Sequence, residues 1–377
     1  MPTSPAPGNG ANIYIGLMSG TSIDSVDAAA VEFINGRLHL IGSHSHPISD
    51  QLRQDILNLC QPGIDNVQLY AETDRALGEL FADAALAIMH ELDLSPENIL
   101  AIGSHGQTIR HAPPSDTENG FSQQIGDANI IAARTGCPVV ADFRRKDIAL
   151  GGHGAPLVPA FHRQLFFNPL KNRVIANIGG IANITILKAN GDCSGFDTGP
   201  GNMLLDAWCQ KHIGKAYDDN GQWSASGTAN NALLAQLKSH PFFGLTSPKS
   251  TGREEFNLLW LERQLEGFNL PPEDIQATLV LFTAQTLADC ITKIDTSTEE
   301  VFVCGGGAFN GQLMAQLKSS LVDSEVNSTA QLGLDPNWVE ACAFAWLAKQ
   351  RMENKTGNLP AVTGAQRETI LGGVYLP

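Results

Sequence analysis

Two glycine-rich hairpins decide the fold of this chain. The first reads Tyr14-Ile-Gly-Leu-Met-Ser-Gly-Thr-Ser-Ile-Asp-Ser-Val-Asp27 and continues into an apolar run over residues 28–33. The second reads Arg173-Val-Ile-Ala-Asn-Ile-Gly-Gly-Ile-Ala-Asn-Ile-Thr-Ile-Leu187. Each pattern predicts a strand, a tight turn of small residues and a second strand. Glycine lets backbone N–H groups approach an anion, and Ser and Thr hydroxyls add donors. We therefore expect the two turns to hold a polyphosphate from opposite sides of a cleft.

A third glycine cluster, Cys304-Gly-Gly-Gly-Ala-Phe-Asn310, follows a strand-like run and precedes a helix-like one. Strands and helices alternate along both halves of the chain, which predicts α/β sheets with crossover connections. The likeness of the two hairpins indicates a duplicated lobe. Together these features predict a two-lobed nucleotide-binding enzyme.

Apolar residues at spacings of three and four predict the helices. They are expected over residues 66–92, 159–167, 229–237, 256–265, 272–291 and 337–352. Pro, Asn and Lys interrupt the pattern at residues 168–172. We therefore expect a first lobe over residues 1–168 and a second over residues 169–377, with a C-terminal tail that can pack back on the first.

The charge balance excludes several classes of partner. Among 377 residues, 24 are Lys or Arg and 39 are Asp or Glu, which gives a net charge of −15. This charge opposes non-specific binding to nucleic acid or to anionic membranes. Seven scattered cysteines indicate reduced thiols and a cytoplasmic protein. No run approaches 18 apolar residues, so no membrane span is expected. Residues 1–12 do not resemble a secretory signal and are interpreted as a flexible leader rich in Pro and Gly.

Common catalytic motifs are missing from the sequence. The segment Ser247-Pro-Lys-Ser-Thr-Gly-Arg-Glu254 is nearest to a Walker phosphate loop, but it lacks the glycine before lysine. We interpret it as a polar loop that opens a helix. Asn310 stands where a dinucleotide fingerprint requires its last glycine. There is no H-E-x-x-H, G-x-S-x-G or Cys/His zinc spacing, which argues against common hydrolases and metalloproteases.

Asp197 is the best catalytic candidate. It lies in Gly195-Phe-Asp-Thr-Gly-Pro-Gly-Asn-Met203, and we expect a turn of small residues there, just before a helix. A carboxylate at such a turn can point into a cleft beside backbone N–H donors. The structural alternative is that Asp197 only caps the helix or bonds to its own turn.

Other polar residues offer two interpretations each. Asp24 and Asp27 either approach a nucleotide-bound Mg²⁺ or make hydrogen bonds within their turn. His105, Gln107 and His111 form a polar cluster at a strand end, where ligands commonly bind in α/β sheets. Arg144, Arg145 and Lys146 are either a solvated turn or include a contact to a substrate anion. Glu340 lies either at an exposed helix start or in the cleft.

The motifs jointly resemble the anhydro-N-acetylmuramic acid kinases of bacterial cell-wall recycling. The resemblance extends from Ile15 to Gly373. It rests on Gly16-Leu-Met-Ser-Gly-Thr-Ser-Ile-Asp24, Ser104-His-Gly-Gln-Thr108, Val140-Ala-Asp-Phe-Arg-Arg145, Gly154-Ala-Pro-Leu-Val-Pro-Ala-Phe-His162, Asn177-Ile-Gly-Gly-Ile-Ala-Asn183, Phe196-Asp-Thr-Gly-Pro-Gly-Asn202, Pro248-Lys-Ser-Thr-Gly-Arg-Glu254 and Cys304-Gly-Gly-Gly307. Two positions depart from the family pattern: Ser25 replaces a glycine and His153 a glutamine.

The resemblance implies the two-lobed α/β fold of the acetate and sugar kinase/Hsp70/actin group, a duplicated ribonuclease H-like fold with ATP in a central cleft. It implies an ATP- and Mg²⁺-dependent kinase that opens 1,6-anhydro-N-acetylmuramic acid with water and phosphorylates O6. The products are N-acetylmuramic acid 6-phosphate and ADP. No metal ligand is assigned, and a homodimer is allowed.

The resemblance also implies roles for individual residues. Asp197 matches the catalytic base, and His105, Gln107, Arg144 and Glu340 match the sugar site, with Arg144 a candidate for the lactyl carboxylate. The expected ATP-binding residues are Gly20, Thr21, Ser22, Ile23, Asp24, Ser25, Val26, Asp27, Gly179, Gly180, Gly305, Gly306 and Gly307.

Two other functions remain as alternatives. An ordinary hydroxyl kinase acting on another amino sugar would not place oxygen from water at the anomeric carbon. A nucleotide-gated binding or chaperone-like protein of the same architecture would hydrolyse ATP slowly, without stimulation by a sugar.

Overall fold

A computed structural model describes residues 13–377 except positions 62, 64, 65, 115–118, 248, 254, 295 and 296. The predicted leader, residues 1–12, lies outside the described residues. The chain forms two compact units. The first contains the described residues up to Leu165 together with Trp338–Pro377, and the second is Phe166–Asn337.

Among its described residues, the first unit begins with seven strands and five α-helices. The strands are β1 (Ile13–Met18), β2 (Ser25–Ile34), β3 (Arg37–Pro47), β4 (Ile99–Ser104), β5 (Gln107–Ala112), β6 (Phe121–Ile125) and β7 (Val139–Ala141). The helices are α1 (Asp50–Cys60), α2 (Val67–Glu91), α3 (Ala128–Thr135), α4 (Arg145–Ile148) and α5 (Val158–Phe166), the last of which ends at the division between the units.

The second unit contains five strands and five α-helices among its described residues. The strands are β8 (Arg173–Ile178), β9 (Ile181–Leu187), β10 (Cys193–Pro200), β11 (Glu300–Cys304) and β12 (Glu325–Ser328). The helices are α6 (Met203–Ile213), α7 (Asn231–Lys238), α8 (Leu258–Gln264), α9 (Pro272–Ile294) and α10 (Gly311–Ser320). The chain then returns to the first unit as α11 (Val339–Met352), α12 (Pro360–Thr363) and β13 (Gly373–Tyr375).

The two units share one strand order. In the first, the sheet runs β13-β7-β4-β1-β2-β3, and in the second it runs β10-β9-β8-β11-β12. In both, the first three strands form an antiparallel meander. A crossover strand, β4 or β11, then pairs in parallel with the first strand, and a second, β7 or β12, pairs in parallel with that crossover strand. The first sheet adds β13, antiparallel to β7. This repeated order is that of a duplicated ribonuclease H-like fold, so the predicted fold class is confirmed. Strands β5 and β6 form a separate two-stranded sheet.

Helix α11 packs unusually closely on the first sheet. A Cβ added at Gly16 would lie 1.8 Å from the carbonyl oxygen of Ala341, and one added at Gly103 would lie 2.1 Å from that of Phe344. Only glycine permits such an approach, because any side chain would overlap the helix backbone. The sequence motifs that contain these glycines are therefore required for packing α11 against the strands.

Most predicted helices are confirmed within a few residues. The helix predicted over residues 66–92 is α2, and Asn66 caps it by accepting from Leu69 N. The apolar helix α9 is the one described helix long and apolar enough to cross a membrane, but two thirds of its tested window is buried inside the structure. Its buried residues, among them Leu279, Phe282 and Leu287, belong to the core of the second unit.

Four of the seven cysteines, Cys137, Cys209, Cys304 and Cys342, are buried.

Candidate active site

The turn of the first hairpin is held by its own side chains. Ser22 Oγ donates to Asp24 Oδ1 at 2.6 Å, and Ser25 N donates to the same oxygen at 3.0 Å. Ile23 is buried with φ at 55°, a conformation that β-branched residues rarely adopt. The turn interpretation of Asp24 is thus observed, and the turn keeps a strained backbone of the kind that clusters at ligand sites.

Asp27 lies on β2 beside this turn. Its Oδ1 accepts from Ser25 Oγ at 3.0 Å and from Ser45 Oγ at 2.8 Å. Burial, opposed by these two hydrogen bonds, raises the pKa of Asp27. Ser25 stands where the family pattern has glycine. Its hydroxyl therefore has a specific role here as a hydrogen-bond donor to Asp27.

His105 and Arg144 form a tight pair after the ends of β4 and β7. Arg144 Nε and Nη2 lie 3.1 and 2.9 Å from His105 Nε2, and Nη1 donates to the carbonyl oxygen of Gly154 at 2.9 Å. Because arginine only donates, Nε2 must accept and the ring proton must sit on Nδ1. Burial and the Arg144 cation lower the pKa of His105 well below its usual value, so the ring is neutral.

Gln107 and His105 are each bonded to the first hairpin. The side chain of Gln107 is buried, and its Oε1 accepts from Ser19 Oγ at 2.7 Å. His105 N also donates to the carbonyl oxygen of Leu17 at 3.0 Å. The predicted sugar-site residues His105 and Gln107 are thus bonded to residues of the Ser19 turn and β1.

Glu340 lies half-buried in the first turn of α11. Phe344, one turn later on the same helix face, packs against the His105 ring with 4.6 Å between ring centroids. The structure therefore places Glu340 on the α11 face that contacts His105. Glu340 thus lies at the helix start and is partly exposed, and its place in the cleft stays a prediction.

His105 also borders a cavity of about 160 Å³. Its polar lining includes Arg145, which the sequence also offered as an anion contact, and Ser104, Asp127 and Asp142, which the sequence did not single out. The Ser104 hydroxyl is buried without a hydrogen-bond partner. Such a group has an unmet need for a polar partner, which is typical of a ligand or water site.

The third histidine of the predicted cluster, His111, lies on β5. Its Nδ1 is 3.0 Å from Ser122 Oγ, and burial, followed by the charges of Arg144 and His153, lowers its pKa to about 4. His111 is therefore neutral at physiological pH.

A buried carboxylate fixes the loop that Arg144 contacts. Asp147 is fully buried and accepts from Gly154 N at 2.8 Å, Asn358 Nδ2 at 2.7 Å and Thr363 Oγ1 at 2.8 Å. These bonds tie residues 152–154 to the C-terminal segment. His153 N donates to the carbonyl oxygen of Thr363 at 2.7 Å. His153, which replaces a glutamine of the family pattern, therefore lies on this anchored loop.

In the second unit, the hairpin turn Gly179-Gly180 contacts the start of α6. Asn202 N donates to the Gly179 oxygen at 2.8 Å, and Gly201 N donates to the Gly180 oxygen at 2.9 Å. A Cβ on Gly201 would lie 2.3 Å from the same Gly179 oxygen. The turn is thereby fixed on the N-terminal end of α6.

Asp197 is half-buried and belongs to strand β10, so its predicted location on a turn is wrong. A bulge follows it, between Asp197 and Gly199, and Gly199 has φ at 135°. Asp197 Oδ2 accepts from Thr251 N at 3.1 Å, and Asp197 N donates to the carbonyl oxygen of Lys249 at 3.1 Å. The N-cap of α6 is Asn202, so Asp197 does not cap that helix.

The third glycine cluster follows β11 directly. Gly305 has φ at 76°, and a Cβ there would lie 2.6 Å from Asn177 Oδ1, a buried oxygen without a hydrogen-bond partner. Gly306 begins a short 3-10 helix that includes Gly307, and Asn310 then caps α10 by accepting from Leu313 N. Gly305, Gly306 and Gly307 are thus adjacent to the end of β8, where the Gly179-Gly180 turn begins.

No group of three or more His, Cys, Asp or Glu side chains within the described part of the chain is arranged to hold a metal ion. A resident all-protein metal site is therefore not a feature of these residues.

The duplicated fold, with glycine turns at the strand ends of each unit, is that of the group of proteins that includes sugar kinases, Hsp70 and actin. The family model for anhydro-N-acetylmuramic acid kinase matches residues 12–377. The anhydro-N-acetylmuramic acid kinase of Shewanella oneidensis is 54% identical over 364 residues, covering 96% of this chain and 98% of the relative. That of Photobacterium profundum is 51% identical over 369 residues, with the same shares covered.

The chain therefore belongs to the anhydro-N-acetylmuramic acid kinase family, and it is an ATP-using enzyme. Among solved structures, the activator of the 2-hydroxyisocaproyl-CoA dehydratase from Clostridium difficile with bound ADPNP aligns over 91% of this chain and 98% of its own. Its TM-score of 0.45 and identity of 14% are too low to carry an inference about function.

Proposed function

We propose that this kinase acts on 1,6-anhydro-N-acetylmuramic acid. Water adds to the anomeric carbon while the bond from that carbon to O6 breaks, and O6 then attacks the γ-phosphorus of ATP. The products are N-acetylmuramic acid 6-phosphate and ADP. The single observation that carries this proposal is family membership over almost the whole chain.

Asp197 is the proposed general base that takes a proton from the attacking water. The support is its geometry: the backbone N–H of Thr251 holds one carboxylate oxygen, Oδ2, at 3.1 Å. General-base catalysis by a positioned side chain contributes roughly 10²–10⁴-fold to the rate. The proton from water can move to Asp197 as the bond to O6 breaks.

The ATP phosphates are assigned to the turn from Gly20 to Asp27 and to the glycines of the second unit, Gly179, Gly180, Gly305, Gly306 and Gly307. Mg²⁺ is expected to accompany ATP and to screen phosphate charge during transfer. The nucleotide phosphates and waters would supply most of its oxygen ligands, which is the usual arrangement for Mg²⁺. Asp27 fits as a nearby carboxylate. Burial raises its pKa because it disfavours the charged form, and a cation nearby would offset the free-energy cost of that buried charge.

The sugar is assigned to His105, Gln107, Arg144 and Glu340. Neutral His105 carries its ring proton on Nδ1, from which it can donate to a sugar oxygen. Arg144 is the proposed contact for the lactyl carboxylate, since a guanidinium matches a carboxylate with two parallel hydrogen bonds. The main acceleration beyond base catalysis should come from alignment of sugar, water and phosphate.

The reaction belongs to cell-wall recycling, and we propose a cytoplasmic location for it. A homodimer is compatible with this function, and neither nucleic acid nor a membrane is an expected partner.

The base assignment is tested with Asp197→Asn. This variant should fold and bind ATP normally, but its turnover should fall by at least about 10²-fold, because the amide cannot accept the proton. Steady-state kinetics with a coupled ADP-release assay measures turnover, and calorimetry with ATP measures binding. Turnover close to that of the wild type would remove Asp197 as the base.

A further inference from the structure

Residues 249–251, which we call the Asp197 clamp, hold the proposed base from two sides. The carbonyl oxygen of Lys249 accepts from Asp197 N, and Thr251 N donates to Asp197 Oδ2, both at 3.1 Å. One bond fixes the backbone of the aspartate and the other orients its carboxylate. The segment that sequence analysis interpreted as a polar loop therefore contacts the central residue of the site.

Lys249 anchors the clamp to the protein interior. Its ammonium group lies 4.3 Å from the centroid of the Phe242 ring and donates to the Phe242 oxygen at 3.3 Å. Phe242 is 1% exposed and packs against Phe243 and Phe256. The half-buried Lys249 side chain thus connects a rigid aromatic cluster to the clamp backbone.

The other end of the clamp is held by a second set of contacts. Thr251 Oγ1 donates to Glu255 Oε2 at 2.5 Å, and Glu255 Oε1 lies 3.7 Å from His240 Nδ1. His240 in turn packs on Phe256, with 4.9 Å between ring centroids. Both ends of the three-residue segment therefore depend on one aromatic cluster.

We propose that Lys249 is a positioning residue for Asp197, acting through the clamp backbone. The proposal rests on the proposed function, in which Asp197 takes a proton from water. A base works only within hydrogen-bond reach of that proton. A displacement of roughly 1 Å can cost about a hundredfold in rate. Because the described bonds of the clamp run to Asp197, its loss should affect turnover more than substrate affinity.

The test variant is Lys249→Met, which keeps the length of the side chain and removes its charge and donor. We expect kcat to fall about tenfold to a hundredfold, with KM for sugar and for ATP within about twofold of wild type. Lys249→Arg should restore most of the turnover, because a guanidinium also donates and stacks on aromatic rings. Thr251→Val, which keeps the N–H but loses the bond to Glu255, should lower kcat several-fold.

Lys211→Met is the matched control. Lys211 lies 5.7 Å from the Trp208 ring centroid and pairs with Glu262, but its segment makes no described bond to Asp197. Its kcat should equal that of wild type. Thermal unfolding and calorimetry with ATP confirm that each variant is folded.

Asp197→Asn is measured in the same series to separate the two proposals. If Asp197→Asn loses turnover but Lys249→Met matches Lys211→Met, the positioning role is overturned and the base stands. If Lys249→Met lowers kcat and Lys249→Arg does not recover it, the anchoring argument is also overturned. If Asp197→Asn keeps normal turnover, the proposed base fails and the clamp has no catalytic group to position.

Discussion

Arg144 offers the sharpest test of the sugar site, because three of the hydrogen bonds that it donates are defined. Two point to His105 Nε2 and one to the Gly154 oxygen, at 2.9 to 3.1 Å. Arg144→Met removes all three bonds together with the charge proposed to meet the lactyl carboxylate. The variant therefore has two separable effects, one on sugar affinity and one on stability.

Both magnitudes follow from the contacts. A hydrogen bond to a charged group contributes about 1.5–3 kcal/mol, and every 1.4 kcal/mol is tenfold in affinity. The KM for sugar should therefore rise about tenfold to a hundredfold, while the KM for ATP changes less than about twofold. His105 Nε2 would be left buried without a donor, which should lower the free energy of unfolding by about 1–3 kcal/mol.

The assay is steady-state ADP release with sugar and ATP varied in turn, together with urea unfolding. Arg134→Met is the control, because Arg134 pairs with Glu79 and Asp83 on the same unit but lies outside the proposed site. It should leave both KM values unchanged. A sugar KM in Arg144→Met within twofold of the wild-type value would refute the assignment of Arg144.

Two further predictions concern stability. Burial lowers the pKa of His162 to about 3, so below pH 6.5 only the unfolded state takes up its proton, and stability falls as the pH falls towards 3. In His162→Gln, the slope of the free energy of unfolding between pH 6 and 4, from urea unfolding, should decrease by about 1.4 kcal/mol per pH unit. An unchanged slope would contradict this assignment. Glu300→Gln should cost about 3–5 kcal/mol of unfolding free energy, because Arg173 bonds to Glu300 Oε2 at 2.7 Å with both side chains about a tenth exposed. Glu262→Gln, at the exposed pair with Lys211, should cost at most about 1 kcal/mol, and equal costs in the two variants would contradict the argument.

The sequence predicted those strands and helices whose formation depends mainly on residues close together in the chain. The two hairpins and α2 combine strong periodicity with clear end signals, such as the Asn66 cap, and they form as expected. Strand β3 was not predicted, because its sequence Arg-Leu-His-Leu-Ile-Gly-Ser-His-Ser-His-Pro is half polar and lies at a sheet edge. Strand β13 has three residues and exists only through its pairing with the distant β7.

The candidate site shows the same contrast between residues that the sequence indicates and contacts that form only in the folded chain. Asp197, His105 and Arg144 are chemically distinctive and were identified from residue type and motif. The contacts that position them run through backbone atoms far away in sequence, such as Thr251 N to Asp197 across 54 positions. Asp147 was missed for the same reason: its role depends on Gly154, Asn358 and Thr363, which come together only in the folded chain.

The central claim is that water opens the anhydro bond in the same reaction that phosphorylates O6. The most direct measurement is turnover of 1,6-anhydro-N-acetylmuramic acid and ATP in ¹⁸O-labelled water, with mass spectrometry of the quenched sugar phosphate. The account predicts one labelled oxygen at the anomeric position and none in the transferred phosphoryl group. A sugar phosphate without label at the anomeric carbon, formed at the normal rate and quenched before exchange, would contradict it.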